Sequence, residues 1–304
     1  MSRMFFTIAL VAPLAGAASL PFSRFGVIDT PSAFVLTHTQ VELGGCFTSY
    51  SYETADSSSE SDFALGGYVE VGLFDRAQAG ITYLGAGGLS GQIRAVVLKE
   101  SLNRPGLAVG AENLTGEQDY EFYEDDSLGL YHYPASQNFS VYLVLSKNFD
   151  YILKAPIAAS IGYGLGRFRQ DADTPSDGIE NPLPGLFGSI EFHPDPRVGI
   201  ALEWDGRDAN FGGWYDISDM VRVSAAVAEF EQLARGDERV ETDVMQNAKF
   251  TLGVQATFGP FFNRTTLEPT ERLRQQSDLE ALRQLEEERR RALERIEELL
   301  RSMD

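Results

Sequence analysis

The stretch RVGIALEWDGRDANFGGWYD, from Arg197 to Asp216, decides the fold. Apolar side chains occupy alternate positions from Val198 to Trp204, and glycine, alanine and carboxylates occupy the positions between them. A turn follows at 205–208, and the alternation then resumes. This period of two predicts a β-hairpin with one apolar and one polar face, which fits a soluble sandwich or a membrane β-barrel. The facing of Trp214 stays open, because a register shift of one residue would reverse the second strand.

The composition excludes several classes of protein. The chain has 304 residues and a formal net charge of −20, which argues against a nucleic-acid partner because phosphate binding needs basic patches. No uncharged apolar run beyond the N-terminus approaches the roughly 20 residues of a transmembrane helix. The acidic segment 117–126 is interpreted as a solvated loop, with divalent-cation binding as the alternative. A single cysteine, Cys46, and three scattered histidines give no zinc spacing, so we predict no metal and no cofactor.

The N-terminus predicts export from the cytoplasm. Arg3 precedes an apolar run at 5–12, and small residues follow at 15–17. This pattern is typical of a secretory signal peptide, which we assign to residues 1–18. Residues 19–33 are interpreted as a short lead-in before the first strand.

Residues 34–262 predict an antiparallel transmembrane β-barrel of about twelve strands. Many segments reach about nine to eleven residues, enough to cross the hydrocarbon when tilted, whereas soluble strands average about five or six. The first predicted strand runs from about 34 to 50, a polar loop follows at 53–62, and the second strand begins at 63. A long acidic loop is predicted at 115–136, and the seventh strand at 157–168. Long polar connections follow the first, fifth, seventh and eleventh predicted strands, and connections after even-numbered strands are short. Short periplasmic turns and long external loops are typical of bacterial outer-membrane barrels, and closure pairs every backbone group as lipid requires.

The C-terminal tail, residues 263–304, predicts a charged helix in the periplasm. No glycine or proline occurs from Glu271 to Met303, and leucines such as Leu279 and Leu282 fall on a three-four spacing. The pattern fits an amphipathic or coiled-coil helix. An even number of strands returns the chain to the periplasm, where the helix either docks on a partner protein or lies solvated against the barrel rim.

Charged residues at inward positions are the candidate functional site. Charges tolerated at alternate strand positions indicate a wet or ion-paired lumen, in which they either hold the barrel shape or line a path for a polar solute. The turn residues Asp205, Arg207 and Asp208, with Glu203, predict an ion-paired cluster near the external mouth. No catalytic constellation occurs, so we predict no enzyme. The candidate residues are Glu70, Arg94, Glu112, Glu191, Glu203, Asp205, Arg207, Asp208 and Arg222.

Five short segments carry a resemblance to a known family. They are GVIDTPSA at 26–33, AENL at 111–114, LSKNF at 145–149, GYGLGRF at 162–168 and EWDGRDANFG at 203–212. In this order they resemble the YjbH-like outer-membrane proteins, a family linked to exopolysaccharide export. The resemblance implies a non-enzymatic barrel that assists export or surface presentation of an exopolysaccharide in contact with outer-membrane lipid. The alternatives are a structural or interaction protein whose barrel anchors the periplasmic helix, and a small porin.

Overall fold

A computed structural model describes residues 20–53, 59–84, 88–115, 123–125, 130–132, 139–150, 155–169, 183–206, 208–230, 233 and 248–262. In the C-terminal tail it describes 279–280, 282–283, 285–291 and 294–295. The predicted signal peptide, Arg207 and most of the acidic segment 117–126 lie outside the described residues.

Fourteen strands are described, and all but two of them form the barrel. The first seven are β1 Val41–Glu53, β2 Ser59–Leu73, β3 Ala77–Tyr83, β4 Leu89–Leu98, β5 Gly106–Glu112, β6 Tyr123–Asp125 and β7 Leu130–His132. The others are β8 Ser140–Asn148, β9 Ile157–Gly164, β10 Leu186–Asp195, β11 Val198–Trp204, β12 Ala209–Ser218, β13 Val221–Ala228 and β14 Lys249–Phe258. Strands β6 and β7 pair only with each other.

The barrel is closed and antiparallel, which confirms the predicted fold class. Its order is β1-β14-β13-β12-β11-β10-β9-β8-β5-β4-β3-β2, and β1 closes it by pairing with both β14 and β2. Turns such as 196–197 and 219–220 gather at one end, called here the short-turn end. The strand ends at Glu112, Ser140, Gly164 and Leu186, between which the longer connections run, lie at the other end, called the long-loop end.

Side chains alternate between an apolar outer face and a polar interior. On β11, Ile200 and Leu202 are 38% and 48% exposed, whereas Ala201 and Glu203 at the alternate positions are 1% and 2% exposed. The outer face carries large apolar side chains on every barrel strand, while buried inward positions include many Ser, Thr, Gln and Glu. Trp214 is 8% exposed and lies inward, packed over Gly199 of the neighbouring strand, which answers the question left open by the sequence.

Four predicted boundaries were wrong. Strand β1 begins at Val41 rather than near residue 34, because the preceding residues enter the lumen. Strand β2 begins at Ser59, inside a segment predicted as a loop, and the predicted loop at 115–136 contains the β6–β7 pair. Strand β9 ends at Gly164 rather than near 168, because Gly166 has φ of +72° and begins a 3-10 turn, Gly166–Phe168.

The described part of the C-terminal tail is α-helical. Leu279, Leu282 and Leu285 are exposed, and Arg291 lies 3.6 Å from Glu287, one turn earlier. Within the described residues, no helix is both long and apolar enough to cross a membrane.

Candidate functional site

The N-terminal lead-in lies inside the barrel. We call residues 20–38 the plug. Leu20, Phe22, Ile28 and Thr30 are at most 2% exposed although they belong to no strand. The plug is bonded to inward side chains of β2, β3, β4, β5, β8 and β11, so it occupies the centre of the lumen rather than one wall.

Glu203 binds the plug backbone from β11. Its Oε2 accepts hydrogen bonds from the Ile28 and Thr30 N–H groups and from the Thr30 hydroxyl, at 3.1, 3.3 and 2.8 Å. Its Oε1 accepts from the Asp29 N–H at 2.7 Å and from Asn210 at 3.0 Å. Successive N–H groups that converge on a carboxylate form an anion-binding concavity, here filled by a side chain of the barrel itself.

Arg94 binds the plug from β4 through carbonyl groups. Its guanidinium donates to the carbonyl oxygens of Phe25, Ser32 and Phe34 at 2.7, 3.0 and 3.1 Å. The planar, always charged guanidinium carries several donors in a fixed arrangement and can therefore hold separate points of one folded segment. Arg94 thus binds carbonyl groups of the plug backbone, and Glu203 binds its N–H groups.

A buried charge cluster lies beside these contacts. Arg167, in the 3-10 turn after β9, contacts Asp29 at 3.1 Å and Glu112 at 2.8 Å. Arg24 lies 3.6 Å from Asp29 and 3.7 Å from Glu112. Burial would lower the pKa of Arg167, but Asp29 and Glu112 raise it above its ordinary value. Burial and the neighbouring Arg167 lower the pKa of Arg24. Two arginines facing two carboxylates give a locally neutral core, which compensates the cost of burying the charges.

Apolar contacts complete the fit between plug and wall. Phe22, Val27 and Ile28 pack against Trp214 and other wall residues, including Cys46 and Ala201. Cys46 is therefore a buried packing residue. Many inward wall positions near the plug are small, among them Ala108, Ala158, Ala201 and Ala226. The plug and the larger inward residues Tyr142, Phe187 and Trp214 together fill this part of the lumen.

A cavity of about 710 Å³ remains at the short-turn end, and we call it the vestibule. Its inner surface is formed by plug residues, including Phe25, Gly26 and Val27, and its side walls include Glu191 and Arg222. A much smaller cavity, about 10 Å³, lies deeper, between Arg24, Glu70, Arg94 and Glu112. The smaller volume has room for about one water molecule. The vestibule therefore ends at the plug.

The structure divides the predicted site residues into two groups. Glu70, Arg94, Glu112 and Glu203 contact the plug, through its N–H groups, its carbonyls or Arg24. Glu191 and Arg222 line the vestibule, where Arg222 pairs with Asp216 at 2.7 Å.

The described turn residues bond to one another and to Asn210. Asp205 accepts from the Asp208 N–H at 2.9 Å and from Asn210 at 3.2 Å. Glu203 accepts from N–H, hydroxyl and amide donors. Arg207 lies outside the described residues, so the ion-paired cluster at this turn stays a prediction.

Sequence reasoning missed the plug, with its charged residues Arg24 and Asp29, and the plug's partner Arg167. A usable signal was present, since 20–33 carries apolar residues and charges without strand alternation. Among the described residues, no group of three or more His, Cys, Asp and Glu side chains is arranged to hold a metal ion.

Comparison with solved structures finds other membrane β-barrels. The KdgM porin is 11% identical over 71% of this chain and 99% of its own, with a TM-score of 0.37. The NanC porin is 11% identical over 71% of this chain and 98% of its own, with a TM-score of 0.37. Outer membrane phospholipase A from Escherichia coli is 10% identical over 70% of this chain and 89% of its own, with a TM-score of 0.37. No protein-family model and no curated protein matches the chain.

Proposed function

We propose that this protein is a non-enzymatic channel of the bacterial outer membrane, closed by its own N-terminal plug and open to polar solutes when the plug leaves the lumen. The outer face supports membrane insertion, because exposed apolar residues such as Ile161, Leu202 and Leu252 would contact lipid. The short-turn end then faces the periplasm, and the long-loop end faces the exterior.

One observation carries the channel proposal: a separate segment occupies the centre of the lumen. Small barrels that serve only as anchors can fill their interior with wall side chains alone. Here large inward side chains such as Tyr142 and Trp214 lie over glycines of neighbouring strands, other inward residues such as Ala201 are small, and the plug lies in the remaining space. The plug joins the wall through Thr39 and Gln40 at β1, and the contacts described above are non-covalent. Departure of the plug would leave a polar passage.

The finer proposal is that the solute is an exopolysaccharide, exported or presented at the surface. Its support is the place in the structure of the five segments that carry the resemblance. Each of the five segments that resemble YjbH-like proteins contributes to the plug or to its contacts, and the first, at 26–33, lies within the plug. Glu112 and Arg167 join the charge cluster, Ser146 accepts from the Ala33 N–H, and Glu203 accepts from Asp29.

A second candidate is an anchor whose barrel holds the C-terminal helix in the periplasm. A filled lumen favours it, and so do the exposed leucines of the helix, including Leu279 and Leu285. The two candidates differ in which part of the chain matters, because a channel needs the plug and an anchor needs the tail.

Single-channel recording in planar bilayers tests the channel proposal. The refolded full chain is compared with a variant that lacks residues 20–33 of the plug, called the plug deletion, and with one that ends at Phe262. We expect few openings for the full chain, stable conductance steps for the plug deletion, and no change on removal of the tail. Added sugar polymers should reduce the current of the plug deletion. A folded plug deletion that does not conduct would refute the channel and leave the anchor.

A further inference from the structure

The vestibule has the size and lining of a ligand site. Its volume of about 710 Å³ lies within the range of roughly 300–1,000 Å³ typical of small-molecule pockets. Phe25 and Val35 of the plug and Met220 of the wall provide apolar surface. Gln40, Gln255 and Thr257 provide uncharged polar groups. This mixture suits a solute with hydroxyl groups and a carbon skeleton.

The charges of the vestibule favour a cation. Asp216 holds Arg222 through both carboxylate oxygens, at 2.7 and 3.1 Å, so this pair is neutral overall. Glu191 and Asp219 then remain as carboxylates of the lining, with Glu42 deeper. The Glu191 carboxylate lies 3.6 Å from the His193 Nε2, and that imidazole would offset its charge only when protonated. Among the described lining residues, no second Lys or Arg balances them. A cleft with low-dielectric walls and one sign of charge concentrates counter-ions and repels anions.

Gln255 independently indicates a hydrogen-bond donor as ligand. Its Nε2 donates at 2.9 Å to the Tyr68 hydroxyl, which in turn donates to Glu42. These two hydrogen bonds orient the Gln255 amide with its NH₂ group toward Tyr68. The amide oxygen of Gln255 is then available to accept a hydrogen bond. Gln255 is 9% exposed, lines the vestibule and accepts no hydrogen bond from the described residues. An acceptor that is open to the cavity offers a hydrogen bond to an O–H or N–H donor of a bound solute.

We propose that the vestibule is a binding site, open to the periplasmic side, for a hydroxylated organic cation such as an amino sugar. Its ammonium group would lie near Glu191 and Asp219, and a hydroxyl would donate to Gln255. Because the inner surface of the vestibule is the plug, the bound solute would contact the segment that closes the lumen. This inference deepens the channel proposal by naming a class of solute, but its test measures binding to the closed protein.

Tryptophan fluorescence provides the measurement. The chain has two tryptophans, and a Trp204→Phe variant leaves Trp214. The Arg222 guanidinium lies 5.0 Å from the Trp214 ring, so a ligand that disturbs the Asp216–Arg222 pair should change the emission. Full-length protein in neutral detergent is titrated with glucosamine, glucose and glucuronate, which share a ring and differ in charge.

We expect affinity to fall in the order glucosamine, glucose, glucuronate. Glu191→Gln should weaken glucosamine binding about three- to tenfold and leave glucose binding nearly unchanged, as expected for loss of one nearby charge. Asp195→Asn is the matched control, because Asp195 lies exposed on the same strand outside the vestibule lining. Gln255→Met should weaken all three sugars.

Salt dependence tests the charge preference without any change near the site. Raising the ionic strength should reduce the advantage of glucosamine over glucose, because exposed charges are screened within about 10 Å at 0.1 M salt. Equal affinity for glucosamine and glucuronate, or binding of none of the three sugars, would overturn the site. Binding in this order by a protein whose plug deletion does not conduct would support the site and refute the channel.

Discussion

Replacement of Glu203 by Gln should release the plug. The two carboxylate oxygens accept five hydrogen bonds, four of them from plug residues 28–30. An amide offers one oxygen. If it keeps the Ile28 and Thr30 bonds, its NH₂ group faces the Asp29 N–H and the Asn210 donor. The opposite orientation leaves three donors facing the NH₂ group, so at least two buried donors lose their acceptor.

The size of the effect follows from these lost bonds. Leaving a buried donor unsatisfied costs about 1–3 kcal/mol, so two donors destabilise the seated plug by about 2–6 kcal/mol. The lower figure corresponds to a roughly 30-fold shift of the equilibrium from the closed toward the open state. The cost falls on the closed state, because a released plug exposes its N–H groups to water.

Planar-bilayer recording measures this shift as open probability. We expect Glu203→Gln to raise it at least about 30-fold over the unchanged protein, unless the channel is already saturated open. Glu100→Gln is the control, because Glu100 accepts the Asn148 N–H and pairs with Lys147 within the barrel wall. Heat-dependent gel mobility confirms that both variants are folded. A folded Glu203→Gln barrel as silent as the control would refute the role of Glu203 in holding the plug.

Two further substitutions probe the plug at other points. Arg94→Lys should increase open probability, because an ammonium group cannot reproduce the fork that reaches the carbonyls of Phe25, Ser32 and Phe34; a closed Lys variant would show that these bonds are dispensable. Gly72→Val should displace the plug near the vestibule, because even a Cβ atom at Gly72 would collide with the carbonyl oxygens of Leu36 and Thr37. The same recordings, with circular dichroism to verify the β-sheet, measure this effect, and unaltered gating of a folded Val variant would contradict it.

The barrel was predictable because its information is local. Alternation along segments such as 198–204 depends only on which face of a strand meets lipid, and the sorting of loop lengths by parity follows from antiparallel closure. The facing of Trp214 was not predictable, because it depends on the register in which Gly199 faces Trp214 across β11 and β12. Gly199 leaves the space that the indole ring fills.

The plug was not predictable because its contacts join distant parts of the chain. Arg167 meets Asp29 at a separation of 138 residues, and Ile28 meets Glu203 at 175. Residues 20–33 have no period that would indicate a strand or a helix, so only their burial in the lumen explains their conformation. Glu203 was correctly placed inward, but its partners are backbone N–H groups, which every residue except proline carries and which leave no mark in the sequence.

A designed disulfide between plug and wall tests the central claim most directly. A Cβ atom built on Gly106 of β5 lies 3.5 Å from the Cβ of Ala33, within the range of about 3.5–4.5 Å found in disulfides. The variant Ala33→Cys/Gly106→Cys, made with Cys46→Ser, is folded, oxidised and digested for mass spectrometry. The control moves the second cysteine to Leu107, the next residue, on the opposite face of the strand. We predict a disulfide in the Gly106 variant and free thiols in the control. Free thiols in a folded Gly106 variant would contradict the placement of the plug inside the barrel.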